Sequence, residues 1–307
     1  MSPTLHTVTT LAQFSLVRDC MWESFSIPYS PYMSILFPIK TPTAEGLAAA
    51  IQESKERLWG FHEGDEDSVW VYVVDEDEDA DEDEDQIEED GKIGGNEKVL
   101  AAANWLFHKK NPFGEEEKKE EEEEKGTADV NEGEKKDKSK KNIDEKSKEK
   151  DNDLGSWWPE GEARDFTKKV LPQLFDVKKK RMRRPHAQLS LMYTLPTSRG
   201  RGHGSLIMKF GMSRISEMDV EAVVEASADG LTLYEKFGFR TVDVITMDTT
   251  FEMGKEEGKE KEKEKPGYIW RKMAYELGEK RTWWMWKPRP GKRVYERGMD
   301  VPWEERG

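Results

Sequence analysis

The residues with the clearest chemical potential are Arg199-Gly200-Arg201-Gly202-His203-Gly204-Ser205, which follow an apolar run and open an amphipathic one. Glycine lacks a Cβ, so the backbone here can approach a ligand without side-chain clash. The first amides of a helix have no intrahelical partner, and together with the helix dipole they attract a phosphate or diphosphate. Arg199 and Arg201 add positive charge at the same corner. The physical expectation is therefore an anion-binding strand–turn–helix. No lysine follows the glycines, which excludes a P-loop. Their spacing also misses Gly-x-Gly-x-x-Gly, and they lie two-thirds along the chain, which argues against a dinucleotide fold. An Arg/Gly nucleic-acid tract would be repetitive, so no direct nucleic-acid binding is expected.

A second group lies downstream, Glu225-Ala226-Ser227-Ala228-Asp229-Gly230-Leu231-Thr232-Leu233-Tyr234-Glu235-Lys236-Phe237-Gly238-Phe239. With Pro196, Arg199, Gly202 and Gly204 upstream, the pair resembles the two CoA-facing motifs of the GNAT superfamily of acyl-CoA N-acyltransferases. The resemblance is specific over about 186–250 and extends less specifically over most of 5–290. Phe37-Pro38, Asn104-Trp105 and Arg184-Pro185-His186 are similar to a fungal-type subgroup.

That resemblance implies an α/β (α+β) fold, with a mixed, mostly antiparallel central sheet, splayed central strands and helices on both faces. It implies acetyl-CoA as co-substrate, with backbone at Tyr193, Thr194 and Leu195 meeting the pantetheine arm. The diphosphate would rest on the amides of Gly200 through Ser205, with Arg199, Arg201, Gly202, His203 and Gly204 in the loop, and Ser227 and Tyr234 would line the other side. Tyr234 would stand near the sulfur as general acid for the departing thiolate. An N–H near Leu195 would be the natural oxyanion donor. The base is open between His186, Glu225 and none at all, with an already neutral amine attacking and water carrying off the proton, because Gln188 stands where some relatives carry a glutamate. The acceptor is expected to be an amine-bearing small molecule, a peptide or a protein. The alternative is a catalytically weak CoA-binding scaffold whose charged insertions recruit protein partners.

The elements that must hold these groups are readable from periodicity. Leu11, Phe14, Val17, Met21 and Phe25 mark a helix over 9–25. Thr41-Pro42 is expected to start a second, with Leu47, Ile51 and Leu58 buried and Gly60 ending it. Ser68–Val74 and Val99–Phe107 read as a hairpin, and 160–181 as a helix interrupted at Pro172. Then come strand Ala187–Leu195, a helix to Met218, strand Val220–Ala226, short helix Leu231–Phe237 and strand Thr241–Asp248. Thr282–Lys287 is a final strand, and the tryptophans around it, with Trp270, form a core strand or an acceptor wall.

Composition limits the rest. The chain has 307 residues and a net charge of −15, of which residues 75–90 carry −13 through thirteen carboxylates. The low isoelectric point therefore describes one segment rather than a folded surface. One domain is expected over 5–290, interrupted by charged, disordered insertions at 75–92, 115–153 and 253–265, with a C-terminal tail at 291–307. No run of 18 apolar residues exists, so no membrane association is expected. The lone Cys20 and five scattered histidines argue against a metal and fit an intracellular protein, cytoplasmic or nuclear.

Overall fold

A computed structural model describes residues 3–26, 29–75, 98–114, 155–251 and 265–304. The three charged insertions lie outside the described residues, apart from Asp75 and Lys265. The elements run β1 (Pro3–Thr7), α1 (Leu11–Phe25), α2 (Pro31–Leu36), α3 (Ala44–Glu63), β2 (Ser68–Asp75) and β3 (Val99–His108). They continue as α4 (Glu162–Val170), α5 (Pro172–Arg181), β4 (His186–Thr194), α6 (His203–Met218), β5 (Glu221–Ala226), α7 (Leu231–Lys236), β6 (Arg240–Thr246), α8 (Tyr268–Leu277) and β7 (Arg281–Lys287).

These residues gather into two compact units. The first comprises Met1–Lys110, Pro185–Thr246 and Arg281–Val301, and the second comprises Asn111–Arg184, Met247–Lys280 and Pro302–Gly307. The first unit holds a seven-stranded sheet in the order β1-β2-β3-β4-β5-β7-β6. Every neighbouring pair is antiparallel except β4 and β5. This is the mixed, mostly antiparallel open sheet that the motifs imply.

Two-residue alternation assigns the faces. Val71, Val73, Ala101, Ala103, Trp105, Ala187, Leu189, Ala222 and Val224 pack with Ile207, Met208 and Ile215 of α6. Trp70, Tyr72, Val74, Ala102, Tyr193 and Leu195 pack on the opposite face with Phe14, Val17, Met21 and Trp22 of α1. Helix α1 begins in a complete capping box between Thr10 and Gln13.

Helix α6 lies close to the sheet because Gly211 faces Trp105, and a Cβ there would overlap the edge of the indole ring at Cζ2, Cε2 and Cη2. Trp105 is fully buried and stacked on Phe107 at 5.8 Å, so it has little room to yield. Gly211→Ala should gain about 1 kcal/mol of helix propensity and lose about 2–3 kcal/mol to overpacking, the upper part of the usual range, because the overlap with the ring is deep. A net destabilisation of about 1–2 kcal/mol is expected by denaturant titration, with wild-type stability as the outcome against it.

Several expectations need correction. Helix α3 starts at Ala44 behind the N-cap Thr43, not at Pro42, and runs through Gly60 to Glu63. It continues because Trp59 and His62 pack on Phe14, with ring centroids at 5.3 and 6.3 Å. Its buried residues are Ala50 and Ser54, while Leu47 is exposed. The edge strand β1 and helix α2 were not anticipated. The segment 291–301 is no loose tail, because Tyr295 and Val301 are buried and Tyr295 packs edge-on against Trp286 at 5.9 Å.

The second unit contains α4, α5 and α8. Pro172 separates α4 from α5 at Leu171. Trp270 lies on α8 rather than on a strand and sits between Phe166 and Phe251, with centroids at 5.1 and 4.9 Å. Among the described residues no helix is long and apolar enough to cross a membrane.

Candidate functional site

The site forms where β4 and β5 part. These parallel strands pair from His186/Glu221 to Leu189/Val224 and no further, although β4 continues to Thr194 and β5 to Ala226. The cause lies on the other edge of β4. Asn104 of β3 faces Leu191 while the next residue, Trp105, faces Leu189, which leaves Ser190 as an extra residue. A bulge bends its strand and interrupts the ladder. It also reverses the faces: Leu189 points to the α6 side, whereas Tyr193 and Leu195 point to the α1 side.

Beyond the bulge the backbone of β4 has one free edge. The Leu195 N–H donates to Leu100 O at 2.9 Å. It is therefore engaged by β3, and an open donor near Leu195 has to be a neighbouring amide. Amides alternate along an antiparallel ladder, so the Thr194 and Met192 amides turn towards the gap instead. Tyr193 contributes backbone only, because its side chain is buried and its hydroxyl donates to Val17 O at 2.8 Å.

The glycine-rich loop closes the same end of the sheet. Gly200 and Gly202 have φ of 77° and 95°, and a Cβ on either would meet nothing within 4 Å. Left-handed backbone and open space above it are what a bound phosphate needs. Gly202 is the N-cap of α6, and no side chain caps this end. The first intrahelical bond shown is Leu206 N to Gly202 O, at 3.1 Å. The amides of His203, Gly204 and Ser205 therefore remain available. The His203 ring is buried, with neither nitrogen hydrogen-bonded among the described residues, so the loop presents its amide. Arg199 does not point at the loop's open space. It reaches back to the carbonyls of Thr194 and Ser24 at 3.3 and 3.4 Å and ties the loop to β4 and α1. Arg201 is exposed beside the glycines.

The second motif packs against the first. A Cβ on Gly204 would stand 3.0 Å from Leu233 of α7. Tyr234, on the same helix, is buried, and burial pushes its phenol above the ordinary tyrosine range, so it stays protonated at neutral pH. Ser227 is exposed in the turn that joins β5 to α7. The hydroxyl of Tyr234 would lie 3.1 Å, and its Cε2 2.5 Å, from a Cβ on Gly230. Gly230 has an ordinary right-handed backbone, φ −85°. Gly230→Ala should therefore fold but displace the phenol. If Tyr234 acts at the reacting centre, turnover falls about 10²-fold. Unchanged steady-state turnover would separate Tyr234 from the chemistry.

The two candidate bases are far apart. His186 opens β4 at its zipped end, eight residues and about 26 Å of strand before Thr194. Its ring packs on His108 at 4.8 Å, and His108 Nδ1 lies 2.7 Å from Asp67. The structure does not bring His186 to the gap. Glu225 lies near the parting end of β5, opposite Trp284, on the face turned towards α1. Its charge, second to burial, raises the phenol of Tyr32, which places α2 within electrostatic reach of it.

Sequence reasoning missed the Ser190 bulge and the buried Arg18 of α1. A break in alternation between Leu189 and Tyr193 is the only local sign of the bulge. Arg18 carries none.

Residues 178–253 match the family model described as an acetyltransferase (GNAT) domain. No curated protein matches the chain. Among solved structures, one described as histone acetyltransferase HPA2 and related acetyltransferase from Corynebacterium glutamicum is 15% identical, with a TM-score of 0.43 over 96% of this chain and 100% of that one. The Drosophila melanogaster polyamine N-acetyltransferase, described as forming N-acetylagmatine, is 11% identical, with a TM-score of 0.42 over 80% and 86%. A GNAT superfamily phosphinothricin acetyltransferase from Sinorhizobium meliloti, in complex with AcCoA, is 12% identical, with a TM-score of 0.38 over 98% and 96%.

Proposed function

The chain carries a GNAT-superfamily acetyltransferase domain, and from that premise we propose that it moves an acetyl group from acetyl-CoA to an amine by direct attack in a ternary complex. One observation supports this most. Among the described residues the one parallel strand pair of the sheet opens beside an uncapped helix N-terminus whose glycines leave room for a diphosphate.

In this proposal the Thr194 and Met192 amides receive the pantetheine arm as an added strand would. The Gly200–Ser205 backbone holds the diphosphate. An ammonium of pKa about 10.4 must lose a proton before it attacks. Glu225, on the acceptor side of β5, holds the amine and passes that proton to water. The amine nitrogen then bonds to the thioester carbonyl carbon, and the carbonyl oxygen takes the negative charge. A gap-facing backbone amide of β4 stabilises that oxygen. The C–S bond breaks as the oxyanion collapses, the amide nitrogen sheds its second proton, and Tyr234 protonates the sulfur and recovers a proton from water. One proton is released per transfer.

The test is calorimetry with acetyl-CoA, followed by thiol release across a panel of amines. The expected result is saturable binding and acceptor-dependent release. No binding at millimolar acetyl-CoA rejects the proposal.

A further inference from the structure

Arg18 is fully buried on α1, and its Nε and Nη2 have no hydrogen-bond partner among the described residues. Its Nη1 meets only the sulfur of Met21, and its guanidinium lies 4.8 Å from the centroid of Phe37. Burial lowers its pKa to about 10, so it is a cation at neutral pH.

Among the described residues no carboxylate is paired with that charge, and Asp19 acts on it only as the last of several weaker electrostatic influences. The adjacent Asp19 is bound to Lys55 at 2.8 Å. The hydroxyls of Tyr29 and Tyr193 donate to the carbonyls of Phe37 and Val17, at 2.6 and 2.8 Å. A second guanidinium, that of Arg57, lies over the same Phe37 ring at 5.1 Å. Burying an unpaired charge is strongly unfavourable, so an anion that reached this guanidinium would gain from pairing with it.

Its position ties it to the gap. Tyr193, beside Arg18, immediately precedes Thr194, whose amide faces the opening, and Arg199 joins Thr194 to Ser24, less than two helical turns from Arg18 along α1. Glu225 faces the same side of the sheet. A carboxylate for an ammonium and a guanidinium for an anion therefore lie on one side of the parting strands.

We propose that the acceptor is an amine that also carries a carboxylate, the amine set by Glu225 and the carboxylate by Arg18. This rests on the acetyltransferase proposal above. Charge-assisted hydrogen bonds of the kind Arg18 can offer are worth roughly tenfold or more in binding.

The test pairs each ω-amino acid from glycine to 6-aminohexanoate with the alkylamine of equal length, using the full chain and acetyl-CoA. At least one amino acid should exceed its matched amine tenfold or more in kcat/KM. In Arg18→Met that preference should disappear, with the plain amines kept within about threefold and the melting temperature not lowered, since an unpaired charge has been removed. Glutarate separates two sources of the anion. Inhibition competitive with the amino acid places the carboxylate on the acceptor, whereas stimulation of alkylamine transfer makes the anion a separate effector and overturns the proposal. Should the variant not fold, the wild-type comparison and the glutarate arm still decide. Transfer to amines with no gain from a carboxylate overturns this inference alone. Transfer to no amine at all rejects the acetyltransferase proposal and this one with it.

Discussion

Gly202→Glu should abolish acetyl-CoA binding while leaving the protein folded. Position 202 has a left-handed backbone, with φ 95°, which disfavours any side chain by about 1–2 kcal/mol. A Cβ there meets nothing within 4 Å, so no core contact is broken. What changes is the open space above the loop. A carboxylate at the N-cap of α6 would draw the hydrogen bonds of the helix's own first amides, as capping acids do. The diphosphate would then lose its donors and face a like charge. Gly202→Ala separates the effects, since it carries the same strain without the charge. The expected result by calorimetry is a loss of at least 10²-fold in acetyl-CoA affinity for the glutamate variant and a much smaller loss for alanine. Equal affinity in all three proteins would show that the diphosphate does not rest on this helix.

The elements around this loop were legible because their residues obey local rules. Strands β4, β5 and β7 alternate or run apolar, and the predicted bounds fall within one residue of those observed. Gly202 and Gly204 mark the helix start because glycine best suits a φ of 95° at the first and a close neighbour at the second. What the sequence could not show depends on pairing between distant segments. Ser190 reads as an ordinary strand residue, and only its displacement from β3 reveals the bulge that opens the gap. The Leu195 amide looks as free as that of Thr194 until the Leu100 carbonyl is placed opposite it. Arg18 follows Val17 on an amphipathic helix and would be read as solvated, yet Tyr29, Phe37 and Tyr193 come from separate parts of the chain to enclose it. His186 failed for the converse reason: proximity to the motif in sequence became about 26 Å of extended strand. Gly60 misled because tertiary packing on Phe14 outweighs the propensity of a single residue in α3, and Pro42 because the Thr43 hydroxyl, which accepts from Gly46 N–H, sets the start at Ala44.

Tyr234→Phe should lower kcat about 10²-fold, the lower end of what a positioned proton donor contributes, with acetyl-CoA affinity nearly unchanged. The substitution removes one oxygen and keeps the ring that packs in the core with Phe239, at a centroid distance of 6.3 Å. Stability should therefore hold, and a loss of turnover would report chemistry rather than folding. The pH profile adds an independent check. Burial raises the phenol above its usual value of about 10, so the donor form persists through neutral pH and beyond. The wild-type rate should then not fall through loss of this proton until the pH exceeds the ordinary phenol range, and in the phenylalanine variant that alkaline fall should be absent. A thioester with a more acidic leaving thiol needs less protonation as it departs, so it should partly rescue the variant and leave wild type almost unaffected. A variant with wild-type kcat, or one whose defect is the same for every leaving group, would reduce Tyr234 to a packing residue and leave water as the proton source for the thiolate.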